Sequence, residues 1–402
     1  MKIKKVVASL FAAGVMVSPL AHATNGYFAH GYGMKAKGMA GVGIALPQDS
    51  LAAATNPAGM VMVGDRIDLG IDWFKPTRNA VAPPQVGEIS GNGDSSFLIP
   101  EFGYNKSLGE SSSLGVSVYG NGGMNTSYAT SSFGAGKMGV DLIQVFIAPT
   151  YAMKFNADNA VGVSLNLAYQ KFKADGLQGF ATTPPSATPA SVTNNGYDSS
   201  TGWGLRIGWT GQVSPAVTLG ATYQTKTKMG KFSKYAGLFA EQGGFDIPAN
   251  YGVGIAAKLS DTTTVAADIQ TIQYSGVKSI ANSGNVAQLL GSNAGPGFGW
   301  RDMTVFKLGA SHKYDNSLEV RAGFSTGRQP IPENETMFNV LAPGVVQDHL
   351  TLGATWTMPS KSEITIGYMH AFKKTVTGSG TTAGFNLNMY EDSLGIAYGW
   401  KM

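Results

Sequence analysis

Apolar and polar side chains alternate with a period of two along much of this chain. Between positions 161 and 170, Val, Leu and Tyr alternate with Gly, Ser, Asn, Ala and Gln. The same alternation recurs at 202–209, 217–224, 350–358 and 394–402. This period predicts β-strands that each have one apolar face and one polar or small face.

Aromatic residues stand at the ends of these apolar runs. The examples are Tyr169, Trp203, Trp209, Tyr223, Trp356 and Trp400. Such placement is typical of the interfacial girdles on a lipid-facing barrel surface. An exported soluble sandwich, which would turn the same apolar faces inward, is the alternative.

The strands are about fourteen in number, and the connections between them alternate between short and long. We expect strands to begin near Arg66, Ser96, Ser113, Asp141, Asn159, Ser200, Ala216, Asn250, Thr262, Met303, Ser317, His349, Glu363 and Asp392. The short connections consist of turn-forming residues, as in 155–158, 212–215 and 359–361, and the long ones run to about 20 residues. An even strand number with long loops on one side favours an outer-membrane β-barrel over a sandwich.

The first 23 residues read as an export signal. Lys2, Lys4 and Lys5 precede an apolar stretch too short to span a bilayer, and 21–23 reads Ala-His-Ala. We therefore expect a signal peptide over 1–23 and a mature chain that begins near Thr24.

The next segment, 24–65, shows no strand alternation and is rich in Gly and Ala. It contains Asn56-Pro57-Ala58, where Pro57 disfavours a helical Asn56 and the Asn56 side chain can form an Asx turn. A barrel of about fourteen strands is too wide for its own side chains to fill. We therefore predict a hatch of small residues inside the lumen over 24–65 and a barrel over 66–402.

The composition excludes several classes of function. Charged residues make up 13% of the chain, Gly 54 of 402, and Cys is absent. A thiolate metal site, a disulfide scaffold and a Cys nucleophile are therefore excluded. The formal net charge is +4 without a basic stripe, which does not indicate a nucleic-acid partner. No motif for a cofactor, a metal or a catalytic nucleophile occurs in a suitable context, so we predict no cofactor and no enzyme.

The signal peptide, the Gly-rich segment with Asn56-Pro57-Ala58 and the fourteen-strand rhythm together resemble the FadL/TodX family of outer-membrane channels for hydrophobic molecules. The resemblance implies that the N-terminal segment is a hatch and that a kink in the third strand opens a lateral gap. We expect the third strand over 114–119, followed by Gly120, Gly122 and Gly123, and assign the kink to these glycines. The alternative is that they begin a flexible loop.

The fourth long loop carries aromatic and apolar residues at helical spacing. An amphipathic helix there would expose an apolar patch, which usually marks a binding site. The resemblance implies that the third and fourth loops form a groove that captures the ligand. The expected groove residues are Leu177, Phe180, Phe232, Tyr235, Leu238 and Phe239. The alternative is that these side chains only pack the loops together.

A few cations are candidate contacts for a ligand head group. Lys228 and Lys231 lie in the fourth loop, and Arg206 lies within a predicted strand on the lumen face. A cation in a partly dry lumen suits a carboxylate. Lys307 and Arg321 also face inward, and such cations can instead pair with barrel acids such as Asp268 or Glu319.

The expected function is passive uptake of hydrophobic small molecules across the outer membrane of a Gram-negative bacterium, with long-chain fatty acids as the favoured substrate. Aromatic hydrocarbon uptake on the same fold and a general diffusion porin are the alternatives. Expected partners are the substrate, outer-membrane lipids with lipopolysaccharide, and the barrel assembly machinery. We expect a monomer.

Overall fold

A computed structural model describes residues 25–402, so the predicted signal peptide over 1–23 lies outside the described residues. Fourteen long strands form the wall. Their bounds are β1 Arg66–Val81, β3 Phe97–Ser107, β4 Ser112–Tyr128, β5 Met138–Lys154, β6 Asn159–Asp175, β7 Asp198–Ser214, β8 Val217–Gln224, β10 Asn250–Lys258, β11 Thr263–Ile272, β12 Met303–Lys313, β13 Leu318–Gly327, β14 Asp348–Thr357, β15 Glu363–Thr377 and β16 Asn386–Lys401. Two short strands, β2 Glu88–Ser90 and β9 Lys228–Met229, pair with β1 and β7.

The sheet closes on itself. Each long strand runs antiparallel to the next, and β1 pairs with β16 from Arg66↔Lys401 to Val81↔Asn386. Closure leaves no terminal edge at this seam, as a barrel in lipid requires. The predicted fourteen-strand antiparallel barrel is confirmed.

The two faces of the wall differ as the alternation predicted. Trp203 is 59% exposed and Leu308 is 54% exposed on the outer face. Asp72, Arg206 and Gln224 point inward and are buried. An apolar exterior around a polar interior is the arrangement of a membrane barrel, the reverse of a soluble sandwich.

Three details of the predicted elements are wrong. The third barrel strand does not end at Tyr119 but continues to Tyr128, and the last strand begins at Asn386 rather than near Asp392. The amphipathic helix expected in the fourth long loop is not formed. That loop contains β9, a single 3-10 turn at Ser233–Tyr235 and a four-residue helix at Ala240–Gly243. The aromatic spacing there reflects packing between loops.

Residues 25–65 lie inside the barrel. They form a helix at Met34–Lys37 and 3-10 helices at Ala52–Ala54 and Pro57–Met62. The other short helices, all in the outer loops, are Gln178–Phe180, Pro189–Ser191, Tyr274–Gly276, Lys278–Ala281, Glu333–Glu335, Thr336–Asn339 and Gly380–Thr382. Within residues 25–402 no helix has both the length and the apolar character needed to cross a bilayer.

Candidate functional site

The predicted hatch motif folds into a compact turn against the barrel wall. The Asn56 Oδ1 accepts a hydrogen bond from the Ala58 backbone N–H at 3.1 Å, which is the expected Asx-type turn. The Asn56 Nδ2 donates to the backbone carbonyls of Ile44 at 2.7 Å and of Trp209, on β7, at 3.0 Å. Pro57 then begins a 3-10 helix, where its missing N–H costs nothing. One side chain thus joins two hatch segments to the wall.

Two facing glycines let this turn approach the wall so closely. Gly162 on β6 pairs directly with Gly208 on β7. A Cβ at Gly208 would lie 1.8 Å from the Asn56 Oδ1, and a Cβ at Gly162 would lie 2.4 Å from the Pro57 carbonyl carbon. The absence of side chains at both positions makes a flat platform for Asn56-Pro57.

Charged groups hold the hatch lower in the lumen. Lys35 pairs with Glu363 at 2.6 Å and Lys37 pairs with Asp72 at 2.9 Å. Burial, reinforced by the nearby carboxylate of Asp68, raises the pKa of the hatch residue Asp49 to about 7. Breaking one partner of such a buried pair is costly, so the hatch is firmly seated.

Two of the candidate lumen cations already have protein partners. Arg321 forms an ion pair with Glu319 at 2.8 Å, as the alternative interpretation expected. Lys307 donates from its Nζ to the His30 carbonyl at 3.1 Å, so it binds the hatch backbone. Asp268, the other acid named in that interpretation, accepts instead from the Gly43 backbone N–H at 2.8 Å.

The wall is interrupted between β3 and β4. The ladder joining these strands stops at Phe102↔Val118, although β3 continues to pair with β1 as far as Phe97 and β4 with β5 as far as Tyr128. β3 carries Pro100 in this stretch, and proline cannot donate to a ladder. The interruption covers residues 119–126 of β4, roughly 25 Å of strand at about 3.3 Å per residue.

The hatch supplies the missing partner of β4 within this gap. The Gly123 N–H donates to the Tyr27 carbonyl at 3.0 Å, and the Ala29 N–H donates to the Asn121 carbonyl at 3.0 Å. The register of β4 against β5 shifts between Gly120 and Gly122 at the same place. A Cβ on Gly122 would lie only 2.0 Å from the Tyr27 carbonyl oxygen. The three glycines therefore lie inside the strand at an irregularity, and the expectation that they begin a flexible loop is wrong.

An apolar cluster fills the space beside this gap. We call it the gap cluster, and its members are Phe74, Phe97, Ile99, Ile143 and Met369. Phe74 and Phe97 point into the lumen, whereas Ile143 follows the outward-facing alternation of β5. Both faces of β5 are buried over residues 138–144, and Ile143 joins the cluster in this stretch. Apolar side chains therefore line the gap.

The six expected groove residues lie together in one cluster, but they pack against each other and leave no open groove. Phe232 and Tyr235 are fully buried and Phe239 is 4% exposed, in one cluster with Leu177. The Phe172 ring lies 4.7 Å from Phe239. Phe180 and Leu238 are partly buried against the same cluster. In this state the side chains pack the third and fourth loops over the mouth of the barrel, and the role of the cluster as a groove stays a prediction.

The candidate head-group contacts occupy different places. Lys228 and Lys231 are exposed on the fourth loop. Arg206 is 2% exposed and donates from Nη1 to the Thr55 carbonyl at 3.0 Å and from Nη2 to the Gln224 Oε1. Within residues 25–402 its Nε has no hydrogen-bond partner and no carboxylate forms an ion pair with it.

Sequence reasoning missed several residues at this site. Pro100 inside a strand was a readable signal of a broken ladder. Gly208 and Gly162 were readable only as glycines in strands, since their pairing partners are set by register. Nothing in the local sequence marks Arg78, whose side chain crosses the gap to Asn125 and Asp94.

The closed antiparallel barrel with an apolar outer face, which contacts its own N-terminal segment on the inside, has the architecture of an outer-membrane channel. The sequence matches the family described as "Outer membrane protein transport protein (OMPP1/FadL/TodX)" over residues 14–399. The chain belongs to this family of outer-membrane transport proteins for hydrophobic compounds. It is a channel, not an enzyme.

Solved structures share the fold at low sequence identity. The Pseudomonas putida toluene transporter TodX is 19% identical with a TM-score of 0.73, over 94% of this chain and 100% of its own. A Pseudomonas aeruginosa FadL homologue is 15% identical with a TM-score of 0.72, over 94% and 99%. The Ralstonia pickettii toluene transporter TbuX is 20% identical with a TM-score of 0.67, over 93% and 99%. A comparison with curated proteins finds no matching sequence.

Proposed function

We propose that this channel takes up hydrophobic molecules that end in a carboxylate, long-chain fatty acids above all, and releases them sideways through the gap between β3 and β4. The single observation that carries the proposal is the buried, uncompensated guanidinium of Arg206. Among the four buried arginines of residues 25–402, Arg66 and Arg321 each pair with a protein carboxylate, whereas Arg206 and Arg78 do not. Arg78 lies at the gap and donates to backbone carbonyls there, so Arg206 is the unpaired arginine beside the hatch.

A carboxylate ligand would supply what Arg206 lacks. Burying a cation without an anion is costly, and a charge-assisted hydrogen bond recovers part of that cost. The Arg206 Nε and the neighbouring Gln224 Nε2 are both hydrogen-bond donors, and neither has a partner among residues 25–402. Two free donors beside a cation suit the two oxygens of a carboxylate.

The proposed route uses environments of similar polarity at each step. Ligand enters through the loop cluster around Phe232, passes the aromatic interior and reaches the gap cluster around Phe97. From there it enters the bilayer without crossing water. Transfer between apolar environments needs no energy source beyond the concentration gradient.

The test compares oleate with its methyl ester in lipid nanodiscs that contain the protein. Replacing Arg206→Gln removes a charged hydrogen bond worth about 1.5–3 kcal/mol, so oleate affinity should fall roughly 10- to 100-fold. Methyl oleate binding should stay unchanged. Arg301→Gln, the same change at an exposed loop position, is the matched control. Equal losses for both ligands, or no loss for oleate, would refute the carboxylate assignment.

Monoaromatic hydrocarbons are the second candidate. TodX and TbuX, whose solved structures share this fold, are toluene transporters, and the lumen is rich in aromatic rings, such as Tyr27 and Tyr274 at 5.5 Å. A neutral ligand needs no cation. If cells that lack this protein lose toluene uptake but retain oleate uptake, this candidate is favoured. A general porin, in contrast, predicts high ion conductance from the intact protein, through a lumen that residues 25–65 fill in this structure.

A further inference from the structure

Arg78 spans the upper end of the gap. It lies on β1 and is 2% exposed. Its Nη1 donates to the backbone carbonyl of Asn125 on β4 and, at 3.1 Å, to the Asn125 side-chain oxygen. Its Nη2 donates to the carbonyl of Asp94, just before β3. The guanidinium also stacks over Phe97 of the gap cluster, 5.7 Å from the ring centre. One side chain therefore ties β1, β4 and the first outer loop together across the break in the wall.

Glu391 offers this arginine a second partner. It is fully buried on β16, and among residues 25–402 neither of its carboxylate oxygens accepts a hydrogen bond. The register places Met389 opposite Arg78 and Pro76 opposite Glu391. Arg78 and Glu391 are thus diagonal neighbours on the inner face, a separation of about 7–8 Å that long side chains can bridge. The Arg78 Nε is also without a partner among these residues.

The other acids around Arg78 are weaker competitors. Asp141 is occupied, because its carboxylate accepts from the Tyr197 hydroxyl at 2.5 Å and from the Asn125 Nδ2 at 3.2 Å. The Asp94 side chain is exposed, so water screens it. Glu391 is the carboxylate near Arg78 that is both buried and free of donors.

We propose that Arg78 is a positioning residue that sets the width of the lateral gap by exchanging between two partners. Bound to the Asn125 and Asp94 carbonyls, it holds β4 and the first outer loop in place. Turned toward Glu391, it forms a buried ion pair and releases β4, so that the gap widens. The ion pair compensates for the two lost carbonyl contacts. This inference rests on the lateral route proposed above.

The test measures gap opening directly. The chain has no Cys, so Ile143→Cys introduces a single reporter thiol inside the gap cluster. Its labelling by a lipid-soluble maleimide is followed in nanodiscs for four forms: the reporter alone, and the reporter with R78Q, with E391Q or with both. Each hydrogen bond to a charged group is worth roughly tenfold or more, so loss of the contacts to the Asn125 and Asp94 carbonyls should make R78Q label at least about a hundredfold faster. E391Q alone should label several-fold more slowly, and it should have no effect in the R78Q background.

Controls separate this result from misfolding and from the proposed function. Arg301→Gln makes the same change in an exposed loop and should label like the reporter alone. If R78Q does not fold, R78K keeps the charge without the two-pronged contact and should label at an intermediate rate. Unchanged labelling in R78Q or R78K, or an E391Q effect of equal size in both backgrounds, overturns the inference. The labelling experiment uses no substrate. Its result can therefore be interpreted even if the fatty-acid binding assay fails.

Discussion

Gly122 is the position where one methyl group should unseat the N-terminal end of the hatch. A Cβ there would lie 2.0 Å from the Tyr27 carbonyl oxygen and 3.2 Å from the Phe28 Cα. Both are backbone atoms, so no side-chain rotation relieves the overlap. In Gly122→Ala the segment 25–29 must therefore withdraw from β4.

The size of the effect follows from what the withdrawal breaks. Two backbone hydrogen bonds are lost, one from Gly123 to Tyr27 and one from Ala29 to Asn121. At about 0.5–1.5 kcal/mol net each, undocking becomes easier by about 1–3 kcal/mol, which raises the undocked population roughly 5- to 150-fold.

Hydrogen exchange read by mass spectrometry measures this population at the two amides. Peptides that contain Ala29 and Gly123 should exchange faster in Gly122→Ala, while β1–β16 peptides keep their protection. Gly276→Ala is the matched control, because a Cβ there meets open space. Unchanged exchange at Ala29, or equal acceleration in the control, would show that this backbone pairing does not hold the hatch.

Three further outcomes follow from the hatch contacts. Gly208→Ala should loosen the hatch, because its Cβ would lie 1.8 Å from the Asn56 Oδ1, and ion conductance in planar bilayers should rise; conductance equal to wild type would argue against the glycine platform. Seating of the hatch should weaken as pH rises from about 4 to about 7, because docked Asp49 keeps its proton up to a pKa of about 7 whereas undocked Asp49 loses it near 3.9. Conductance should then be higher at pH 8 than at pH 5, and Asp49→Asn should abolish the difference. Deleting residues 24–63 should leave a folded barrel that passes small polar solutes, and failure to fold would make the hatch a structural core instead.

The strands could be predicted from the sequence because lipid favours apolar side chains and the lumen favours polar ones at alternate positions. Around Trp203 and Arg206 each strand meets lipid on one side and buried polar groups on the other, so a period of two survives in the sequence. In the fourth loop no such surface repeats. There Phe232 and Phe239 mimic helical spacing while each packs individually against Phe172.

The gap was only partly readable. The glycines marked an irregularity in the third strand, but its partner is Tyr27, far away along the chain. Register between distant segments is set by the closed barrel, not by local pattern. The same holds for Arg78 and Glu391, whose relation depends on how the first and last strands are paired. Arg206 was readable as a lumen cation, but its lack of a counter-charge was not.

The exchange of strand partners along β4 has a consequence for the channel as a whole. A strand edge binds only one neighbour, so over Gly120–Gly123 the hatch and β3 compete for the same amides and carbonyls. If the hatch leaves, that edge of β4 becomes free to extend its hydrogen-bonded ladder with β3. Pro100 limits this extension because it has no N–H to donate. A barrel without its plug is therefore not simply a wider version of the intact one. On the proposed route, loss of the plug would close the sideways exit and open an axial pore, so movement of one segment would change the two permeabilities in opposite senses.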